Sequence, residues 1–192
     1  MTPSATWIAR AAVLALLPLA ACAPTERAAG NMTTEGQALM QAATNPTLST
    51  TDAYFLDKAA RGGLAAMQEA QLAEKAGSPA VRRSAARLVA AQRQLSAELD
   101  ALAQRKRISL PTTPSDTQER MMGRLQGLSG AAFDRQYLDQ QVLMHQQAVS
   151  LFQDEARNGA DPEVKAFAVR AVPALETTLR TAEQLGGRAP QS

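Results

Sequence analysis

The stretch Val81-Arg-Arg-Ser-Ala-Ala-Arg-Leu-Val-Ala-Ala-Gln-Arg-Gln-Leu-Ser-Ala-Glu-Leu-Asp-Ala-Leu102 decides the fold. Val81, Ala85, Leu88, Gln92, Leu95, Leu99 and Leu102 recur at steps of four and three, and Gln92 is the polar member of the row. That spacing is the seam of a helix in a left-handed bundle. Ser78-Pro79 just before it supplies an N-cap followed by proline at the first helical position.

Working outward, the same period recurs in Leu138, Val142, His145, Val149, Phe152 and Ala156, and again in Val164, Ala168, Ala171, Leu175, Thr178, Ala182 and Leu185. A weaker row of small residues runs through Phe55, Ala59, Gly63, Ala66, Ala70 and Ala73. The breaks fall at Gly77, at Leu110-Pro-Thr-Thr-Pro114, at Gly127-Leu-Ser-Gly130, at Asn158-Gly159 and at Gly186-Gly187. These signals predict helices over residues 52–76, 79–107, 115–125, 130–157 and 162–185. The reading is all-α: an antiparallel four-helix bundle with a short extra helix in the crossover. Gly62-Gly63 inside the first helix costs about 1 kcal/mol per glycine against alanine, which a close neighbour or a local bulge would explain. Pro173 should kink the last helix. Residues 78–89 and 161–172 also align at an offset of 83, with Pro, Val, Ala, Arg and Val in register, so the two helical hairpins are related in pattern.

Three of the rows carry one polar interruption near mid-helix: Gln92, His145 and Thr178. In an antiparallel bundle such residues lie at similar heights. They are expected to form a core polar layer, because a buried polar group without a partner costs about 1–3 kcal/mol.

Upstream, Arg10 precedes the apolar run Ala11–Ala21, which is too short to span a bilayer at about 20 residues but suits a secretory h-region. The run ends in Leu19-Ala20-Ala21-Cys22, which resembles the lipobox of bacterial lipoproteins. The resemblance implies cleavage before Cys22 and a covalent lipid on its sulfur. Two or more acyl chains make a stable anchor where one does not. Ala23, where an Asp would favour inner-membrane retention, leans toward the outer membrane facing the periplasm. The expected organisation is a lipoprotein signal peptide over residues 1–21, a flexible tether over 22–50, the helical-bundle domain over 51–186 and a frayed tail over 187–192.

Composition narrows the function. The 192 residues hold 20 basic and 18 acidic side chains, one Cys and one His. Near-neutral charge argues against nucleic acid as a partner. A lone Cys and a lone His exclude an intrachain disulfide and multi-His or multi-Cys metal sites. No phosphate loop, nucleophile elbow or paired-carboxylate motif is present, so the chain does not read as an enzyme, and no cofactor beyond the covalent lipid is expected.

The stretches Phe55-Leu-Asp-Lys-Ala-Ala-Arg-Gly-Gly-Leu64, Ser129-Gly-Ala-Ala-Phe-Asp-Arg-Gln-Tyr-Leu-Asp139, His145-Gln-Gln-Ala-Val-Ser-Leu-Phe-Gln-Asp-Glu-Ala156 and Asp161-Pro-Glu-Val-Lys-Ala-Phe-Ala168 resemble the ferritin-like domain-of-unknown-function family 4142 of bacterial envelope proteins. The resemblance implies a ferritin-like bundle, often on a lipoprotein, with no assigned activity. The family's inward acids and histidines fall here at Ala66, Gln68, Ala91, Gln92 and Thr178, and only His145 remains. One imidazole cannot hold a metal tightly.

Three functions stay open. The first is a non-catalytic, lipid-anchored binding or scaffold module of the envelope, with the membrane as partner through its acyl chains and protein partners unspecified. The second is a metal-binding protein, redox-active or not, using His145 with Glu74, Glu155 or a partner the sequence does not single out. The third is a carrier of small apolar ligands in the alanine-rich gap beside the first helix. Asp154 and Glu155 read as solvated acids.

Overall fold

The chain enters its first helix through Ser49, whose hydroxyl accepts from the Asp52 amide while the Asp52 carboxylate accepts from the Ser49 amide. This reciprocal capping box starts α1 at Thr50–Ala76, two residues before the expected position. Leu48, counted with the tether, is buried against the core. In this computed structural model the described residues are 48–187, within one compact unit. The expected signal peptide with Leu19, Ala20, Ala21 and Cys22, most of the expected tether and the residues beyond Gly187 lie outside the described residues.

Four further helices follow: α2 Pro79–Lys106, α3 Asp116–Gln126, α4 Gly130–Asn158 and α5 Pro162–Leu185. Among the described residues all regular structure is helical. Pro79 and Pro162 open α2 and α5 as expected. Asp161 caps α5 by accepting from the Glu163 and Val164 amides at 2.9 and 3.2 Å. Arg107 turns left-handed (φ 55°) and stops α2 one residue early. The expected caps Ser78 and Ser129 stand at their helix starts without a side-chain cap bond, and the Ser78 amide instead donates to Asp134 on α4 at 3.0 Å. Pro173 lies within a continuous α5.

The long helices pair as two hairpins, α1 with α2 and α4 with α5; α1 also packs on α4, and α2 on α5. Short α3 rests on α1 and α4. Its Leu125 is fully buried, and the Met121 carbonyl accepts from Gln140 on α4 at 3.1 Å. Arg61 pairs with buried Asp57 at 3.1 Å and donates to the Thr113 carbonyl at 3.2 Å, which ties the α2–α3 connector to α1.

The apolar interior forms two clusters at opposite ends of the helices. One gathers Phe55, Leu56, Leu99, Leu102, Phe152, Val164 and Phe167; the other gathers Ala70, Ala73, Val81, Leu88, Leu125, Phe133 and Tyr137. In the first, Phe55 meets Phe152 edge-on at 4.9 Å and Phe167 at 6.3 Å between ring centroids. Most members of the predicted rows are buried or half-buried as expected; Leu185, at the end of α5, is exposed. The two glycines of α1 differ. A methyl at Gly63 would collide with the Gln92 amide, whereas one at Gly62 would meet nothing. The close approach is therefore to a side chain, and at one glycine only.

Among the described residues no helix is long and apolar enough to cross a membrane.

Candidate functional site

Between the two clusters, the middle of the bundle is polar and incompletely filled. Gln92 and His145 are both buried here, on α2 and α4. They do not hydrogen-bond one another: Gln92 donates to Ser96 at 3.3 Å, one turn along its own helix, and His145 Nδ1 meets the Gln141 carbonyl at 2.9 Å. A carbonyl only accepts, so Nδ1 carries the proton. Burial lowers the pKa of His145, against the smaller effect of that hydrogen bond. The ring is thus held neutral, with a lone pair on Nε2. Thr178 does not join this layer. It is half-buried and its hydroxyl donates to the Ala174 carbonyl at 3.0 Å, the back-bond typical of threonine inside a helix.

The polar middle instead contains Glu69 and Gln141. Glu69 is wholly buried on α1 and accepts from Gln141 Nε2 at 2.8 Å. Its other oxygen and that of the Gln141 amide are buried without a hydrogen-bond partner among the described residues. Burial pushes the Glu69 carboxyl up to about 7, the Gln141 bond opposing it. Glu69 was legible in principle: it stands three residues after Ala66 and four before Ala73, on the inner face of α1.

A second carboxyl group sits at the end of the bundle. Glu155, expected to be solvated, is 4% exposed, whereas its neighbour Asp154 faces solvent and pairs with Arg157. Gly159 leaves room for the Glu155 carboxyl, which a Cβ there would overlap. Burial first, then hydrogen bonding to Asp52 and the charges of Asp52 and Asp161, raise Glu155 to about 8. Burial alone would raise Asp52 as well, but bonds from Ser49, Glu155 and the Ala160 amide bring it below the usual range. Glu155 is therefore the protonated partner and Asp52 the ionised one. Lys106 closes the cluster, with Nζ 2.7 Å from Asp161 and 2.8 Å from Glu163.

These directions set a pH dependence. The unfolded chain releases the Glu155 proton near 4.5, the folded chain only near 8. Between those values the folded state binds more protons, so stability falls as pH rises through that window and levels off above it. Glu69 adds to the same trend up to about 7. Urea midpoints measured across this window should decline in the native protein, and Glu155→Gln, which keeps a donor to Asp52, should flatten the decline. An equally steep decline in the variant would show that Glu155 ionises normally.

Beside His145 and Gln92 opens a cavity of about 630 Å³. Gly62, Gly63 and Ala66 of α1, Leu95 of α2, Met121 of α3, Met144 and Phe152 of α4, and Leu175 of α5 contribute to its walls. The small side chains of α1 are what leave the space. Neither metal partner suggested for His145 reaches it: Glu74 is exposed, and Glu155, ten residues on along α4, lies about 15 Å away. Among the described residues no three His, Cys, Asp or Glu side chains converge to hold a metal ion.

Comparison with known proteins places this architecture. Two solved structures are similar in fold. One is a DUF305 fragment from Deinococcus radiodurans, at 23% identity and a TM-score of 0.64, covering 75% of this chain and all of the fragment. The other is CopM in a Cu(II)-bound form, at 19% identity and a TM-score of 0.60, covering 71% of this chain and 95% of CopM. No curated protein matches the chain. The family model described as a domain of unknown function, DUF4142, matches residues 37–185, more than half of the sequence, and the chain belongs to that family.

Proposed function

We propose that the protein is a non-catalytic, lipid-anchored binding module of the cell envelope that takes a small, largely apolar ligand into the cavity between its helices. The cavity carries this reading. Its volume of about 630 Å³ lies within the ~300–1,000 Å³ usual for small-molecule sites. Its wall is mainly apolar, with a few polar groups, His145 and Gln92 among them. The neutral imidazole offers an acceptor to a hydroxyl or N–H of the ligand. The pairing of α1 with α2 and of α4 with α5, with α3 in the crossover, supports the finer description of a ferritin-like four-helix bundle. Anchoring is supported by Leu19-Ala20-Ala21-Cys22 behind a short apolar run, and Ala23 supports placement at the outer membrane.

Two measurements test the reading. Fractionation of cells producing the Cys22→Ser chain should move the protein from the membrane to the soluble fraction; retention at the membrane would remove the lipid anchor. Solvent extraction of protein purified from its own envelope, followed by mass spectrometry, should release a small apolar compound, and extracts without one would count against the ligand.

A second reading, copper binding, is favoured by one observation. Met121, Met144 and His145 line the same cavity, and thioether and imidazole donors suit copper. The likeness to CopM, whose Cu(II)-bound form is the structure compared, points the same way. Stoichiometric copper in the purified protein, lost on His145→Ala, would favour it over the apolar ligand.

A further inference from the structure

The residues around the cavity carry more information than its volume. No carboxylate lies among them, and Lys58 is their one lysine or arginine. Lys58 is half-buried, with Nζ 5.4 Å from the centre of the Tyr54 ring, so the cation is already steered by the ring face. One turn along α1, Arg61 holds the Thr113 carbonyl and ties the connector before α3 to this stretch of α1, and Gln118 at the start of α3 lines the same cavity. There the Gln118 carbonyl oxygen is occupied by Ser115, which leaves the Gln118 NH₂ as a donor. A cation and an amide donor thus line the same cavity, and no acid is among its lining residues.

The opposite chemistry holds further in. Phe55 meets Phe152 and Glu69 meets Gln141, so α1 and α4 run antiparallel and Lys58 lies level with about residue 150. His145 is five residues from that level, roughly 8 Å along the helix axis. Its Nε2 lone pair repels an anion and accepts only a hydrogen-bond donor. Ala66, Leu95, Phe152 and Leu175 line the space and offer nothing polar.

We infer that the ligand is an amphipathic monocarboxylate, an apolar body with a single acid head, bound with the carboxylate at Lys58 and Gln118 and the body running toward His145. This rests on the ligand-binding reading and adds the class of ligand and its orientation. Each further methylene buried should raise affinity about fourfold until the cavity is filled.

The test is calorimetric titration of the full chain carrying Cys22→Ser, stripped by solvent, with decanoate, decanol and decylammonium. Decanoate should bind best, with decanol about tenfold weaker, as expected for loss of a charge-assisted bond. Lys58→Met should remove the advantage of decanoate over decanol, while Lys58→Arg should retain it. Circular dichroism of each variant establishes that the helices are intact. Equal binding of decanoate and decanol, or preference for decylammonium, would overturn the acid head and leave the ligand cavity standing. Failure of all three to bind would overturn both. An advantage for decanoate that survives Lys58→Met would overturn the orientation.

Discussion

Phe55→Ala is expected to destabilise the fold by about 4 kcal/mol, as for a fully buried aromatic cut back to alanine. Phe55 is 1% exposed and packs edge-on against Phe152 and Phe167, whose rings lie 5.8 Å apart. These three side chains join α1, α4 and α5, so truncating Phe55 leaves a gap that touches three helices at once. The site is hard to collapse, because Leu56, Leu102 and Val164 around it are themselves fully buried. Chemical denaturation followed by circular dichroism checks this. A loss below about 1 kcal/mol would mean that the cluster repacks and does not hold the hairpins together.

Asp52→Ala is expected to cost about 3 kcal/mol. The Asp52 carboxylate is wholly buried and accepts from the Ser49 hydroxyl at 2.7 Å, the Ala160 amide at 2.9 Å and the Asp161 amide at 3.1 Å. It thereby caps α1 and fixes the α4–α5 turn, positions more than a hundred residues apart in sequence. Removing it strands three backbone donors, the Ser49, Ala160 and Asp161 amides, the last of them buried. It also removes the negative charge facing Glu155, so the Glu155 carboxyl should titrate lower in the variant. Urea denaturation gives the stability, and carboxyl titration by NMR gives the shift. An unchanged Glu155 titration would mean that the two acids do not share a proton.

These two residues show what the sequence could and could not reveal. Phe55 lay on a visible row, and the helices around it were placed to within a residue or two, because apolar spacing, prolines at helix starts and glycines at helix ends all act locally. Asp52 was also local in part, since Ser49-x-x-Asp52 is a capping pattern. Its second task, at the α4–α5 turn, depends on tertiary contact and leaves no mark in the sequence. Glu155 and Glu69 were missed for another reason. Both stand at helical spacing from buried residues, Glu155 three after Phe152 and Glu69 three after Ala66. Their charge suggested solvent, whereas raised pKa values let each be buried protonated or nearly so. Thr178 shows the reverse: its row position suggested a core partner, but a threonine in a helix can satisfy itself on its own backbone. Of the three residues expected in the layer, Gln92 and His145 are buried without bonding one another, and the buried side-chain pair is Glu69 with Gln141.

The cavity followed from the same economy of side chains. Glycine and alanine on the inner face of α1 were legible as a place where something comes close. A helix could have filled that space; instead Gln92 fills only the part beside Gly63, and Ala66 faces the opening.

The most direct test of the account is to fill that opening. Ala66 is 5% exposed and lines the cavity, so Ala66→Leu adds bulk where there is room for it. Native mass spectrometry of the wild-type chain and of Ala66→Leu, each purified from its own cells and each verified as helical, reads the outcome. The account predicts a ligand adduct on the wild-type chain and none on the variant. A wild-type chain without an adduct, or one carried equally by both proteins, would contradict it.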